Sequence, residues 1–426
     1  LSAEDCMVQS MPEASPVKWH LAHTTWFFET FLLQAVQPAR SPFHEKFGYL
    51  FNSYYNTVGS RHPRPRRGLL TRPALETVLA YRRAIDEEML QLLESPLSPQ
   101  LEEVLETGLH HEQQHQELIL TDLKHLLSCN PLYPAAFEAT RGPAALPVSR
   151  ADQGNQETAS LSGANTNGAS PSLPGWPVAW IGLKEGLSDA GTDGPGFSYD
   201  NEHPRHRVFL HECGIARHPV TCGEYLEFIH DNGYHRHELW LSDGWDTVHR
   251  EGWEAPLYWQ QHEGSWYQFT LTGLRPVDPA EPVCHVSSYE ADAFARWAAA
   301  RLPTEFEWEA LARSVPVAGN FVEDRLWHPA PAGTTAAQAK SSTDSSPQQM
   351  FGDVWEWTSS PYVAYPGYRP PAGALGEYNG KFMSGQMVLR GGSCATSLSH
   401  IRPTYRNFFP PAARWQFSGF RLATDG

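Results

Sequence analysis

The residues of this chain best suited to chemistry are two histidines four positions apart, His111 and His115. They lie in a stretch whose inward positions recur every three or four residues, which predicts a helix. Residues four apart share one face of a helix, so the two imidazoles can bind the same metal ion. Histidines on an inward face need either hydrogen-bond partners or a metal. The spacing therefore indicates a metal site or a pair of satisfied core histidines.

The same stretch also matches the His-Glu-x-x-His signature of zinc proteases, with Glu112 as the general base. The longer form of that signature requires Gly at 118 and His at 121, where the chain has Leu118 and Thr121. A later glutamate ligand, Glu138, falls near a proline-rich turn rather than on a helix. The zinc-protease interpretation stays open on the short signature alone.

A predicted helix near the N-terminus offers a third histidine. Ser15-Pro16 is typical of a helix start, with Ser15 as the N-cap and Pro16 at the first helical position. The residues that follow are bulky and apolar around most of the circumference, which predicts a buried helix. His20 and His23 both lie in it. A lone histidine in such a helix is usually structural, and the residues alone do not choose between the two.

Composition limits the classes of function. The chain has 426 residues, enough for two domains, and a formal net charge of −16, which argues against a nucleic-acid partner. It contains no run of 18 apolar residues, so we expect no membrane span. Six scattered cysteines without a CxxC pair fit free thiols, and no signal peptide is visible. We therefore expect a cytoplasmic protein that binds neither nucleic acid nor a membrane.

The pattern changes twice along the chain. Residues 1–139 are typical of a helical bundle. Residues 140–175 consist largely of Gly, Ala, Ser, Asn and Pro, which predicts a flexible linker or insertion. Residues 176–426 combine short apolar runs with frequent Gly and Pro and two convincing helices, at about 221–231 and 287–300. The predicted fold class is α+β, with two domains joined by the linker.

Two further helices are expected in the N-terminal part. One begins at about Pro73, with Thr71 as its cap, and the other begins near Pro99 and carries the histidine pair. Together with the helix after Pro16 they make three, and bundles of this kind usually have four. The fourth would lie before residue 1 or in the first dozen residues.

The loop between the first two long helices carries more candidates. Tyr54 and Tyr55 precede a segment that contains Arg61, Arg64 and Arg67. Adjacent tyrosines are usually packing residues, and a basic loop is usually solvated. A cluster of guanidiniums in an acidic protein also makes a fork for a carboxylate, and a tyrosine near a metal can supply a proton.

Motifs in both halves resemble known families. The C-terminal half resembles the formylglycine-generating-enzyme fold, a variant of the C-type-lectin architecture, through Pro282–Ser287, Arg301–Glu309, Gly352–Thr358, Leu389–Ser393 and Gly419–Leu422. The helical half resembles the DinB metal-binding four-helix bundles through Leu21-Ala22-His23 and His111-x3-His115-x-Glu117. A DinB-like bundle fused to a formylglycine-generating-enzyme-like domain resembles the sulfoxide synthases of ergothioneine biosynthesis, the EgtB family.

The resemblance implies an iron site and a substrate site. His23, His111 and His115 match the family's three Fe(II)-binding histidines, which selects His23 over His20. Gln114 and Asn407 fall where contacts to the substrate histidine are expected. The enzymes of this family consume O2 and join a thiol sulfur to the imidazole ring of Nα-trimethylhistidine (hercynine), giving a sulfoxide.

The resemblance also implies a branch of the family. Tyr54 and Tyr55 resemble the tyrosine pair of the branch that uses free cysteine, and Tyr55, with Tyr54 as the alternative, would be the proton donor. The branch that uses γ-glutamylcysteine has an acidic residue where this chain has Phe409. We therefore expect cysteine as the sulfur donor, with Arg64 and Arg67 as its carboxylate clamp. Phe408 and Phe409 would enclose the trimethylammonium group, although ordinary core packing is an equal alternative.

Other functions remain open. A related synthase that uses γ-glutamylcysteine, or one of the ovothiol or selenoneine type, would keep the same iron site with a different donor or acceptor. A zinc-dependent thiol transferase would use the bundle alone. A lectin-like domain tethered to a bundle would bind without catalysis. Oxygen uptake that depends on iron(II) and on both substrates separates these alternatives.

Overall fold

A computed structural model of the chain describes residues 1–138, 178–335, 338 and 346–426. Its helices are α1 Val17–Phe28, α2 Gln34–Val36, α3 Phe47–Phe51, α4 Leu75–Leu92, α5 Pro99–Ser128, α6 Cys222–His230, α7 Ser242–Glu251, α8 Ser288–Trp297 and α9 Glu305–Ala312. Its strands are β1 Trp180–Leu183, β2 Gly186–Ala190, β3 His206–Leu210, β4 Cys213–Ala216, β5 Trp259–His262, β6 Ser265–Thr270, β7 Gly273–Pro276, β8 Gly319–Asn320, β9 Phe351–Gly352, β10 Trp355–Pro361, β11 Met387–Arg390, β12 Asn407–Phe409, β13 Ser418–Phe420 and β14 Ala423–Asp425. The linker expected at 140–175 lies outside the described residues, and the predicted domain boundaries stay predictions.

The N-terminal half is built on α1, α4 and α5. Helix α1 is buried around nearly its whole circumference, as its apolar sequence predicts, and it continues through a π-helical turn, Glu29–Leu33, into α2. Helix α5 has 30 residues and is about 45 Å long. It begins at Pro99 as expected, and the Ser98 hydroxyl caps it by accepting from the Leu101 N–H at 3.4 Å. The faces of α1 and α5 that carry the histidines lie against each other.

Two expected helix caps in the N-terminal half were wrong, and one of the two places expected for the fourth helix is excluded. Ser15 does not cap α1, because its hydroxyl accepts from Arg67 and its N–H donates to Asp122. Thr71 does not cap α4, which starts at Leu75 without a side-chain cap. The first dozen residues contain only a 3-10 turn, Asp5–Met7, so they do not form the fourth helix.

The C-terminal half is a set of small sheets covered by helices. Its central sheet has the order β12-β11-β10-β13, in which β13 is parallel to β10 and the other pairs are antiparallel. A three-stranded antiparallel sheet, β1-β4-β14, joins the two ends of this half. Helices α6 and α8 were expected, whereas α7 and α9 were not. The capping box of Thr304 and Glu307, a Thr-x-x-Glu signal readable in the sequence, marks the start of α9. The predicted α+β fold class is confirmed.

The apolar core runs without interruption from the bundle into the sheets. The last turns of α5 pack Leu120, Leu123 and Leu127 against residues of the C-terminal half, among them Phe269 and Phe417. Helix α5 therefore belongs to the cores of both halves. In the part of the chain that the structure describes, no helix has the length and apolarity required to span a membrane.

Candidate metal centre and substrate cavity

Three histidines converge where α1 crosses α5. His23, His111 and His115 each offer a ring nitrogen, and these nitrogens all lie within 4.8 Å of one another. Gly108 allows the close crossing, because a Cβ at this position would lie only 2.7 Å from the ring of Phe28. The predicted trio is thus assembled from two helices, and His23 and His111 are 88 residues apart in sequence.

Hydrogen bonds fix which nitrogen two of these histidines present. His23 Nδ1 lies 2.6 Å from the carbonyl oxygen of Phe51, which can only accept, so Nδ1 carries the proton and the Nε2 lone pair faces the cluster. Asp122 Oδ2 accepts from His20 Nε2 at 3.0 Å, so His20 Nδ1 accepts from His115 Nδ1 at 2.7 Å. His115 therefore also keeps a free Nε2.

The three imidazoles are neutral. Burial lowers the pKa of His111 to about 3, with His20 adding to the effect. Burial also lowers the pKa values of His23 and His115 well below the ordinary value of a histidine. His111 Nε2 lies only 3.2 Å from His23 Nε2, a position from which a cation between the rings would receive both lone pairs. Three converging neutral nitrogen donors fit a divalent transition metal.

Glu112, the base that a zinc protease would need, is paired with an arginine away from the histidines. Its carboxylate forms an ion pair with Arg82 of α4 at 2.8 Å. It is not among the described residues that line the cavity beside the histidines. The geometry therefore speaks against the zinc-protease interpretation.

A cavity of about 360 Å³ opens beside the histidines, between the bundle and the C-terminal half. Most of the predicted site residues line it: Tyr54, Arg64, Arg67, His111, Gln114, His115, Asn407, Phe408 and Phe409. His23 is fully buried in the metal cluster and is not one of the described lining residues. Tyr55 is fully buried, and it is not one of the described lining residues.

Arg67 brings a buried positive charge to this cavity. Its side chain is 2% exposed, one of its NH groups donates to Ser15 Oγ at 2.8 Å, and its guanidinium stacks 3.3 Å above Trp19. In the described residues no carboxylate lies within ion-pair distance of it, and its Nε has no partner. Burial, together with nearby Arg64, lowers the pKa of Arg67 to about 8. Arg64 is exposed at the mouth of the cavity. An enclosed guanidinium without a carboxylate is ready to receive one from a ligand.

The tyrosines form a layered cluster. The ring of Tyr54 lies 4.6 Å from that of Tyr55, whose hydroxyl is buried without a partner among the described residues. Tyr378, which the sequence analysis missed, also lines the cavity, with its ring 5.8 Å from His111. Its hydroxyl donates to Gln114 Oε1. Tyr378 lies in a segment of short 3-10 turns with no periodicity or motif, so no sequence pattern marks it.

Glu117 joins α5 to the C-terminal half. Its two carboxylate oxygens accept from Trp355 Nε1 at 2.7 Å, Ser393 Oγ at 2.8 Å and Thr396 Oγ1 at 2.8 Å. All four residues are buried, and the three donors belong to the motifs around Trp355 and Ser393. The carboxylate thereby holds the metal-binding helix against the wall of the cavity.

Aromatic side chains of β12 and its neighbours form the opposite wall. Phe408 stacks on Tyr362 with ring centroids 4.0 Å apart, and Phe409 lies 6.2 Å from Trp415. Phe408 and Phe409 remain partly exposed toward the cavity. This wall offers π faces and no charge at position 409.

Comparisons with known proteins agree with this layout. Residues 1–119 match the DinB superfamily, and residues 178–426 match the sulfatase-modifying factor enzyme 1-like domain. Hercynine oxygenases of Mycolicibacterium thermoresistibile and Mycolicibacterium smegmatis are each 33% identical to this chain, over 97% and 98% of it and 88% and 92% of their own lengths. Ergothioneine biosynthesis protein 1 of Schizosaccharomyces pombe is 26% identical over 54% of this chain and 28% of its own. The chain belongs to the hercynine oxygenase family and is an oxidoreductase that combines a DinB-like bundle with a sulfatase-modifying-factor-like domain.

Proposed function

We propose that this enzyme uses iron(II) and O2 to join the sulfur of cysteine to the imidazole ring of hercynine. The products are hercynylcysteine sulfoxide and water, so one oxygen atom enters the sulfoxide and the other leaves as water with the thiol and ring protons. The observation that carries the proposal is that a buried guanidinium without a carboxylate partner lies on the cavity that His111 and His115 line, and these two histidines form a cluster of neutral imidazoles with His23.

His23, His111 and His115 would hold the iron, which would supply redox chemistry with dioxygen and a common point of attachment for both substrates. Hydrogen bonds to Phe51 and His20 hold the side chains of His23 and His115, and His111 is held by burial, so little reorganisation is needed on loading. Holding both substrates in one enclosed cavity supplies the proximity that the carbon–sulfur bond requires.

Arg67 would bind the carboxylate of cysteine, with Arg64 assisting from the mouth. A carboxylate on Arg67 would satisfy the guanidinium and compensate for the burial that lowers its pKa. Phe409 supports cysteine as the sulfur donor, because an apolar ring offers nothing to the polar γ-glutamyl extension of the alternative thiol.

Gln114 and Asn407 would hold the imidazole of hercynine, and the aromatic wall would hold its trimethylammonium group. A quaternary ammonium has no hydrogen to donate, so its favourable contacts are with π faces. Phe408, Phe409 and Trp415 line the side of the cavity that provides such faces.

The proton donor is one of three tyrosines. Burial raises the pKa values of Tyr54, Tyr55 and Tyr378, so all three carry their protons at neutral pH. Tyr55 was the first expectation, with Tyr54 as the alternative. Tyr54 and Tyr378 line the cavity, whereas Tyr55 contacts it through Tyr54. We therefore add Tyr378 to the predicted pair.

The three single Tyr→Phe variants separate these candidates. The variant that lacks the donor should divert turnover from sulfoxide formation to oxidation of cysteine alone. The measurement is the ratio of the two products by mass spectrometry at equal oxygen consumption. An unchanged ratio in the Tyr55→Phe variant removes Tyr55 from the mechanism.

The function itself is tested by loading the protein with iron(II) without oxygen, then adding hercynine, cysteine and air. We expect a product with the summed mass of the two substrates minus two hydrogens plus one oxygen. Zinc-loaded protein is the matched control and should give none. Parallel reactions with γ-glutamylcysteine test the branch, and a preference for that thiol would contradict cysteine as the donor.

A further inference from the structure

We propose that His400 and Tyr405 are positioning residues that orient the amide of Gln114, so that its carbonyl oxygen rather than its NH2 group is offered to the substrate imidazole. This inference rests on the proposed function, which puts the imidazole of hercynine beside Gln114. The juxtaposition behind it is a row of polar side chains that leads from a surface carboxylate to the cavity, with hydrogen bonds from Glu323 to Gln113 and again from His110 to Gln114.

The amide of Gln114 has nearly the same shape in its two orientations, so its neighbours must select one. One end lies 2.7 Å from Tyr405 Oη and the other receives the hydroxyl of Tyr378. Tyr405 Oη also lies 3.0 Å from His400 Nε2. A hydroxyl has a single proton, so Tyr405 either accepts from Gln114 and donates to His400, or the reverse. The tautomer of His400 therefore decides the orientation of the amide.

The tautomer of His400 depends in turn on His110. The two Nδ1 atoms lie 2.9 Å apart, and only one of them can carry a proton between them. Gln113 follows His110 by three residues on α5, so the two side chains share one face of the helix. Gln113 directs its NH2 group away, to Ser399 Oγ at 2.6 Å, which leaves its carbonyl oxygen as the atom available to His110. In the proposed arrangement His110 donates from Nε2 to this oxygen and accepts at Nδ1, which makes His400 donate from Nδ1.

A carboxylate fixes the direction at the outer end. Ser397 Oγ donates to Glu323 Oε1 at 2.6 Å, and a carboxylate can only accept. Having used its proton, Ser397 accepts from Ser399 at 3.2 Å and from Gln113 Nε2 at 3.3 Å. Glu323 thereby fixes the direction of the bonds as far as Gln113. In the proposed arrangement the groups from His110 inward donate in the same direction.

The consequence appears at the inner end. His400 Nε2 accepts from Tyr405, Tyr405 accepts from the NH2 group of Gln114, and the carbonyl oxygen of Gln114 faces Tyr378 and the cavity. A carbonyl oxygen has two lone pairs, so it can accept from Tyr378 and from a substrate at once. The site therefore selects an imidazole that presents an N–H on this side, which leaves its other ring nitrogen unprotonated.

The experiment is a double-mutant cycle on hercynine binding. The dissociation constant is measured by calorimetry on iron(II)-loaded protein without oxygen and on metal-free protein. Tyr405→Phe should weaken binding about tenfold, because the freed NH2 group can turn toward the substrate N–H. In a Gln114→Ala background the same substitution should change binding by less than about twofold, because no amide remains to be oriented. Equal losses in both backgrounds would show a merely structural role and overturn the inference.

Substitutions of His400 test the direction of the bonds. His400→Phe removes the acceptor for the Tyr405 hydroxyl and should weaken binding as Tyr405→Phe does. His400→Gln restores an acceptor and should recover most of the affinity, whereas equal weakening by both variants would contradict the assigned direction. These two variants decide the question if Tyr405→Phe fails to fold.

Tyr225→Phe is the matched control for the loss of a buried hydroxyl. The hydroxyl of Tyr225 lies 3.0 Å from that of Tyr234, and neither residue lines the cavity. Its hercynine affinity should equal that of the wild type, and a comparable loss would assign the effect of Tyr405→Phe to general destabilisation. Wild-type protein that binds hercynine but forms no sulfoxide refutes the proposed reaction alone. Sulfoxide formation with an unchanged affinity in Tyr405→Phe refutes only the orienting role, and wild-type protein that does not bind hercynine overturns both.

Discussion

Three arginines buried in the C-terminal sheet region differ from Arg67 in whether a carboxylate pairs with them. Arg390, Arg406 and Arg421 are almost completely buried, and each is paired with a carboxylate at 2.5–2.9 Å. Arg67 is equally enclosed, but among the described residues its hydrogen bonds go to hydroxyl groups, its guanidinium stacks on Trp19, and no carboxylate lies within ion-pair distance. Buried charges are usually paired because desolvation is costly. Because Arg67 also lines the cavity, its guanidinium can bind a carboxylate of the ligand.

Lys124 of α5 is a third kind of buried cation. Its ammonium donates to His285 Nε2 at 2.6 Å and lies 4.8 Å from the ring of Phe417, but no carboxylate in the described part of the chain pairs with it. It does not line the substrate cavity. Removing a paired arginine should destabilise the fold, removing Arg67 should lower the affinity for the ligand, and removing Lys124 should stabilise the protein.

The largest effect should follow from breaking a paired arginine. Arg421→Leu leaves Glu356 buried without its partner, and the free energy of unfolding should fall by about 3–5 kcal/mol. Urea unfolding followed by tryptophan fluorescence measures it. Arg205→Leu, which removes an exposed pair with Asp189, should cost under about 1 kcal/mol. Equal losses of unfolding free energy in the two variants would contradict the expected difference between buried and exposed ion pairs.

Arg67→Met should act on binding rather than on folding. A charge-assisted bond to the carboxylate contributes about 2–3 kcal/mol, so the KM for cysteine should rise about 30- to 100-fold. The free energy of unfolding should stay level or increase, because a desolvated cation has been removed. Arg66→Met, an exposed neighbour outside the cavity lining, is the control. A variant with normal KM but a weakened fold would class Arg67 with the structural arginines.

Asp122→Asn tests a buried carboxylate whose partner is a neutral imidazole. Asparagine can donate as well as accept, so His20 loses the proton acceptor that fixes its tautomer and, through it, the free Nε2 of His115. Iron(II) affinity, measured by competition with a chelator, should fall about 10- to 100-fold. Asp86→Asn on the exposed face of α4 is the control and should leave the iron(II) affinity unchanged. An unchanged iron(II) affinity in Asp122→Asn would contradict the orientation of His115 by His20.

Lys124→Met should give the smallest effect, with a pH dependence of known sign. Burial lowers the pKa of Lys124 to about 8, below its ordinary value of 10.5. Between these values the unfolded chain binds more protons, so the stability of the wild type rises with pH, and below pH 8 the cost of the buried charge is complete. The variant should be more stable by about 1–3 kcal/mol at pH 7. Its advantage should shrink as pH rises from 8 to 10 in parallel unfolding curves, and a destabilised variant at pH 7 would contradict this.

The residues of the site that could be predicted are those whose spacing along one helix reveals a shared face. His111 and His115 follow from the helical period, because four residues return to the same face. His23 needed the family motif, since the helix that carries it is buried on all sides and its period distinguishes no face. The fold class followed from the change of periodicity along the chain.

The parts that could not be predicted depend on long-range contacts. Tyr378 reaches the cavity from a segment without periodic pattern, and Glu117 finds its three donors more than 230 residues further along the chain. Ser15 looked like a helix cap, but Arg67 and Asp122 engage its polar groups instead. A sequence shows which groups are available, whereas competition between distant partners decides which bonds form.

The position of Glu117 two residues after His115 constrains how such enzymes can change. A helix turns by about 100° per residue. Inserting or deleting one residue between His115 and Glu117 would therefore rotate the carboxylate away from Trp355 while the imidazole kept its position. Chimaeras that exchange the bundle and the sulfatase-modifying-factor-like domain between relatives should therefore tolerate a junction beyond Ser128 and fail to fold with a junction inside α5, even when both parent proteins are stable.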